Sequence, residues 1–161
     1  MAGLRDTTAK IAKARRAPAP AAGRMREWPS FGGNPGALRM LSYIPQGLAP
    51  GAPLVVVLHG CTQHAEPFAT AGGWLALADR CGFAVLAPEQ RAANNPNLCF
   101  NWFLPGDTER GQGEAASIRA MVEAIVATHN LDPGRIFVTG LSAGGAMTAV
   151  MLAAYPEVFA G

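Results

Sequence analysis

Apolar residues are distributed along this 161-residue chain in two alternating patterns. Short continuous aliphatic runs give way to stretches in which apolar positions return every three or four residues, the first marking buried strands and the second helices. Leu38–Ile44 reads as an extended segment that ends at Pro45. Leu54-Val-Val-Val-Leu58 is unbroken, as a strand covered on both faces requires. Trp74–Cys81 reads as a short helix, and Phe83–Leu86 as the next strand, closed by Pro88. Ile118, Met121, Val122, Ile125 and Val126 share one helical stripe and predict a helix from about Glu114 to His129. Ile136–Thr139 predicts another strand, and Ala146–Tyr155 an apolar helix stopped by Pro156.

The alternation of strand and helix predicts an α/β fold with a parallel-rich sheet and helices on both faces. Ligands bind such sheets at the carboxyl ends of the strands, so the chemistry is expected just after Leu58, Leu86 and Thr139. Asn34-Pro35-Gly36, Pro50-Gly51 and Asp132-Pro133-Gly134 mark turns. Residues 89–113 are polar and rich in Asn, Pro and Gly, and read as a long loop.

Charge separates the chain into two parts. Residues 1–26 hold seven of the 13 basic residues and a single acid, Asp6, so the remainder is net acidic although the whole chain carries +2. Residues 1–30 therefore read as a basic, Pro/Ala-rich, disordered tail and linker, and 31–161 as the N-terminal portion of one domain. Basic residues confined to a tail do not suit a nucleic-acid-binding body. No apolar run reaches membrane-spanning length. No apolar stretch follows the basic residues of the tail, so no secretion signal is read there and a cytoplasmic location is the sequence's own alternative. Cys61, Cys81 and Cys99 form no CxxC pair, which argues against zinc and leaves at most one disulfide. Cys81 falls in an apolar helical pattern and is expected in the core.

The chemistry-bearing segment is Gly140-Leu141-Ser142-Ala143-Gly144, between the last strand and an apolar helix. In that context G-x-S-x-G is a nucleophile elbow, with Ser142 held clear of the sheet edge on a strained turn and the helix N-terminus beneath it. Gly140 and Gly144 keep side chains out of that turn. The plainer alternative is a Gly/Ser connection with no chemistry. His59-Gly60-Cys61 follows the buried strand, where a second oxyanion-binding N–H is needed, and the Cys61 N–H is expected to act with that of Ala143. His59 is expected to order this loop and not to move protons. Phe100-Asn101-Trp102-Phe103 reads equally well as a substrate wall, through Asn101 and Trp102, or as a minor core under the long loop. Arg110-Gly111-Gln112-Gly113-Glu114 has no strand before it and reads as the start of a helix, not a phosphate loop. No metal or organic cofactor is signalled.

Taken together, FGGNPGALRM (31–40), PLVVVLHGCTQ (53–63), CFNWF (99–103), RGQGEAASIRAMV (110–122) and FVTGLSAGGAMT (137–148) resemble poly(3-hydroxybutyrate) depolymerase-type esterases, with feruloyl and acetylxylan esterases as related groups. The resemblance covers about Phe31 to Gly161. It implies an α/β-hydrolase fold and cleavage of carboxylic esters, with polyhydroxyalkanoates or plant cell-wall esters as substrates. It implies an acyl-enzyme on Ser142, with Cys61 and Ala143 at the oxyanion hole. It also implies an extracellular setting and allows a Cys61–Cys99 disulfide.

One requirement of the mechanism is not met by these residues. A serine nucleophile needs a histidine base and an orienting carboxylate, which in this fold follow it in the chain. After Ser142 the only acid is Glu157, and His59, His64 and His129 all precede the nucleophile. The sequence is therefore expected to be an N-terminal fragment, inactive alone and with an exposed sheet edge. A non-catalytic remnant or a peptidase built on the same elbow are the alternatives.

Overall fold

The computed structural model describes residues 24–161. The elements in order are β1 (Arg26–Trp28), β2 (Arg39–Tyr43), β3 (Leu54–Leu58), α1 (Ala65–Ala71), α2 (Trp74–Cys81), β4 (Ala84–Glu89), α3 (Pro105–Thr108), α4 (Gly113–His129), β5 (Ile136–Gly140) and α5 (Ala143–Ala154). One five-stranded sheet has the order β1-β2-β4-β3-β5. β3 runs parallel to β4 and β5, whereas β1–β2 and β2–β4 are antiparallel.

Side-chain alternation along the central strands builds two cores. Leu54, Val56 and Leu58 of β3, with Ala84 and Leu86 of β4, join the larger cluster under α4 and α5. Val55 and Val57, with Val85 and Ala87, face the opposite way and pack with α1 and α2. Successive strand residues point to opposite faces, so a strand covered on both sides must be apolar throughout, and LVVVL is. β3, paired on both edges and buried on both faces, is the centre of the fold.

Several boundaries differ from the sequence reading. The tail-and-linker reading of residues 1–30 meets a strand near its end: Arg26–Trp28 pair with Met40–Ser42, and Trp28 Nε1 donates to Ser42 Oγ at 2.7 Å. Three residues are too few to show periodicity, and only a partner strand makes them extended. The rest of the tail, residues 1–23, lies outside the described residues. Pro88 does not close β4 but lies inside it, opposite Met40. The β3 ladder ends at Leu86, so Pro88 sits beyond it, where a missing N–H is tolerated. α1 goes unread in the sequence, and α3 interrupts the long loop.

Cys81 is exposed, contrary to its expected place in the core. α2 buries Leu75 and Ala78, and at 3.6 residues per turn Cys81 lies about 120° round from Leu75, off the buried stripe. The sheet edge at β5 is partly covered within the chain, since Ala160 N donates to Ile136 O and Val138 N to Gly161 O.

One tertiary contact brings two stretches of backbone close together. A Cβ on Gly144, in the first turn of α5, would lie 2.2 Å from Leu58 O and 2.5 Å from His59 O at the end of β3. The Leu58 carbonyl cannot move without losing the hydrogen bond it accepts from Leu141 N. Gly144→Ala is expected to cost roughly 4 kcal/mol or more, or to prevent folding. Urea unfolding checks this, and a loss below about 1 kcal/mol would show that the helix can slide.

Candidate active site

Three segments meet at the carboxyl ends of β3, β4 and β5: the elbow 140–144, the turn 59–63 and the loop 89–104. At the elbow, Ser142 has φ 54° and ψ −118° and is exposed. A non-glycine residue in that region is strained and persists only when its surroundings force it. The forcing contacts are visible. Leu141 N donates to Leu58 O at 3.1 Å, and a Cβ on Gly140 would lie 2.4 Å from Gly144 C. The chain must turn from strand to helix within a space that admits no side chain at position 140 or 144.

The turn after β3 is fixed from several directions. Gly60 N donates to Gln63 Oε1 at 2.8 Å, and Gln63 N donates to Gly60 O at 3.3 Å. His59 Nδ1 lies 2.8 Å from the same Gly60 oxygen, while His59 Nε2 accepts from Gln90 N at 3.1 Å. An accepting Nε2 places the imidazole proton on Nδ1, so Gly60 O receives two donors. The peptide is planar and trans, so the Cys61 N–H points away from that anchored carbonyl. Neither the Cys61 nor the Ala143 N–H meets an acceptor among the described residues. A Cβ at Gly60 would lie 3.3 Å from Leu141 O and 3.6 Å from Ser142 Cβ, so the turn lies against the elbow.

Cys61 and Cys99 are joined by a disulfide, which ties this turn to the long loop. Thr62 N adds a bond to Asn97 O at 2.7 Å. Thr62 has φ 61°, unusual for a β-branched residue.

None of the three histidines hydrogen-bonds to Ser142. His59 is fully buried with both ring nitrogens engaged, and burial holds its pKa below the usual range. His64 Nδ1 lies 3.5 Å from Glu89 Oε2, and His129 meets the edge of Trp28. Glu157 pairs with Arg110, whose hydrogen bonds push the carboxyl down to about 2. It ties the segment before α4 to the end of α5.

The aromatic segment divides between the two readings left open by the sequence. Phe100 is fully buried, with its ring 4.8 Å from that of His59. Trp102 and Phe103 are exposed and stacked edge to face at 5.7 Å. Asn101 is buried, its Oδ1 accepting from Asn95 and its N–H donating to Glu114 at 2.9 Å.

Sequence reasoning missed Gln90 and Glu114. Gln90 Nε2 donates to Cys99 O and to Glu114 Oε1, and Gln90 Oε1 accepts from Asn94. Glu114 has no exposed surface. Burial pushes its carboxyl up to about 7, with the Asp107 charge adding to the rise and the Asn101 and Gln90 donors opposing it. The available signal was its position, four residues before Ile118 on the apolar stripe of α4, where a carboxylate is out of place. Among the described residues no cluster of three or more His, Cys, Asp or Glu could hold a metal, and no helix is long and apolar enough to cross a membrane.

Comparison with known proteins agrees with this architecture. The family model described as esterase PHB depolymerase matches residues 38–161. Poly(3-hydroxyalkanoate) depolymerase C of Paucimonas lemoignei is 56% identical over 132 residues, which is 82% of this chain and 32% of that protein. A probable acetylxylan esterase A of Neosartorya fischeri is 36% identical, over 86% of this chain and 37% of its own length. The chain thus spans about a third of the length of these curated relatives. The solved acetyl xylan esterase from Aspergillus awamori superposes with a TM-score of 0.81 at 31% identity, over 86% of this chain and 50% of that one. The fold is that of the α/β-hydrolase esterases.

Two outcomes follow from the site's construction. The disulfide closes a separation of 38 residues, worth about 4 kcal/mol in loop entropy. Dithiothreitol is therefore expected to lower the urea midpoint clearly, and an unchanged midpoint would show the bond is not formed in solution. Glu114 keeps its proton up to about pH 7 when folded, against an ordinary value of 4.5. The folded state binds the extra proton, so this contribution is intact below about pH 4.5 and is lost as pH rises to about 7, by on the order of 3 kcal/mol at most. Relative to wild type, Glu114→Gln should gain stability between about pH 4 and about pH 8. An equal difference at both pH values would mean that folding leaves the Glu114 carboxyl at its ordinary pKa.

Proposed function

The chain belongs to the PHB depolymerase family of esterases, and from that premise we propose that it carries the nucleophile and oxyanion hole of a serine-dependent carboxylic ester hydrolase. The family includes PHB depolymerases and acetylxylan esterases, which hydrolyse carboxylic esters. The observation that carries the proposal is Ser142, exposed on a strained elbow against which the turn bearing Cys61 packs, with the Cys61 and Ala143 N–H groups meeting no acceptor among the described residues.

In this reading Ser142 Oγ attacks the acyl carbon and passes its proton to a base. The carbonyl oxygen becomes an oxyanion held by the Cys61 and Ala143 N–H groups. Each such donor contributes roughly 3–4 kcal/mol in the transition state. Collapse expels the alcohol, which takes up the proton, and leaves an acyl group on Ser142. Water then releases the acid by the same steps.

The base is the part these residues do not supply. His59 is neutral and locked between Gly60 and Gln90, and no histidine follows Ser142. The 161-residue chain by itself therefore turns over esters far more slowly than a form provided with a histidine. A polyhydroxyalkanoate is the favoured substrate class. The relative at 56% identity is named as such a depolymerase, and the exposed Trp102–Phe103 pair offers an apolar wall. Feruloyl or acetylxylan esters are the second reading, supported by the superposition on the acetyl xylan esterase. The disulfide suits an oxidising, extracellular setting.

The test grafts the segment that follows the Gly161 equivalent in the Paucimonas depolymerase onto this chain. The chimera should hydrolyse p-nitrophenyl butyrate, and Ser142→Ala should reduce the rate by about a thousandfold or more. Hydrolysis indifferent to Ser142→Ala would refute the nucleophile assignment. Fast, Ser142-dependent turnover by the ungrafted chain would refute the missing base.

A further inference from the structure

Of the seven basic residues in 1–26, Arg24 and Arg26 lie within the described fold, and ester chemistry at Ser142 makes no use of them. With Ser42, Tyr43, Ile44 and His129 they line an open cavity of about 240 Å³. Tyr43 is paired with Val85, near the start of β4, and His129 is the last residue of α4. The cavity therefore sits toward the amino ends of the parallel strands, at the end of the sheet opposite to Ser142.

Its donors follow from strand pairing. Arg26 and Ser42 are opposite each other in the β1–β2 ladder, so their side chains stand together on one face. Trp28 shares that face, two residues on, and its Nε1 donates to Ser42 Oγ at 2.7 Å. Ser42 is only 3% exposed, and its hydroxyl proton has no acceptor among the described residues. The His129 ring meets the edge of Trp28 at 6.0 Å between centroids, and neither ring nitrogen has a hydrogen-bond partner among the described residues. Burial, and then the Arg26 charge, hold the His129 pKa below its usual range.

The charges do not cancel. Arg24 lies over the Tyr43 ring at 4.7 Å and pairs with Asp79 at 2.7 Å, and the Tyr43 hydroxyl donates to the same carboxylate. Asp79 is thereby spent on Arg24, and it does not line the cavity. Arg26 has no carboxylate within ion-pair distance among the described residues. The cavity thus gathers the Arg26 guanidinium, the Ser42 hydroxyl and the His129 imidazole, with no acidic residue among those lining it.

We propose that this cavity binds a small carboxylate with a short apolar tail. The Arg26 fork matches the two oxygens of a carboxylate, and the Ser42 hydroxyl and a His129 N–H add donors from the side. Ile44 and the Tyr43 ring give the tail an apolar surface. A cation would be repelled by Arg26. A phosphate would set further oxygens against Ile44, where they lose water without gaining a donor. The acids released by ester hydrolysis belong to the ligand class, but the site does not depend on the esterase reading.

The test is an NMR titration of the 161-residue chain with sodium butyrate, followed at the backbone amides and the histidine imidazoles. Sodium chloride and sodium phosphate at matched ionic strength are the comparators. Butyrate is expected to give saturable shifts centred on Arg26, Ser42, Ile44 and His129. It should also raise the midpoint of the His129 titration, because the bound charge offsets that of Arg26. Arg26→Gln, at an exposed position, should weaken binding by about tenfold or more without moving the urea midpoint. Ser142→Ala should bind as wild type does. Shifts of equal size with chloride, shifts that do not saturate, a His129 midpoint that stays in place, or undiminished binding by Arg26→Gln would overturn the site. Phosphate bound as tightly as butyrate would overturn its assignment to a carboxylate.

Discussion

The structure depends on how closely two pieces of backbone approach each other. The first turn of α5 presses on the last residues of β3 so tightly that no Cβ fits between Gly144 and the Leu58 carbonyl. The same approach forces Ser142 into a strained conformation and exposes it. It also sets the turn after β3 directly against the elbow. The elbow and the turn after β3 are therefore positioned by a single contact between the first turn of α5 and the end of the central strand β3. The strain is local, whereas what holds it is a strand buried on both faces and paired on both edges.

A second tier holds the loops in place. Glu114, Gln90 and His59 form a buried chain of hydrogen bonds from the start of α4 to the Gly60 carbonyl. Each member has its polar atoms engaged, which is the condition for a buried polar network to specify one arrangement. The network reaches the long loop through Cys99 O and Asn101 N, and the disulfide closes the circuit back to Cys61. A loop of some twenty-five residues acquires a defined path through a few polar anchors, with little secondary structure of its own.

In the proposed mechanism these two tiers serve attack and charge stabilisation, while no described histidine hydrogen-bonds to Ser142. The histidine nearest the oxyanion loop is used as a structural donor, and its burial disfavours the charged form a general base must adopt. The division explains why the elbow is fully shaped although the described residues hold no triad. The forces that shape the elbow come from β3, β5 and α5, and none of these elements carries a histidine.

The central strands, the long helices, the elbow turn and the loop after β3 were legible in the sequence. Their signals are local: an unbroken aliphatic run, a helical stripe, or glycines at fixed spacing from a serine. The Cys61–Cys99 pairing was reachable only through family resemblance, because two cysteines 38 residues apart carry no pairing signal of their own. Tertiary structure decided the rest. β1 exists because β2 offers it an edge, Cys81 is exposed because α2 turns it off the buried stripe, and Pro88 is tolerated because the β3 ladder has already ended. Gln90 and Glu114 read as ordinary polar residues until the fold buries them together. A polar side chain's role is set by what surrounds it, and that is fixed by long-range packing, which no window of sequence contains.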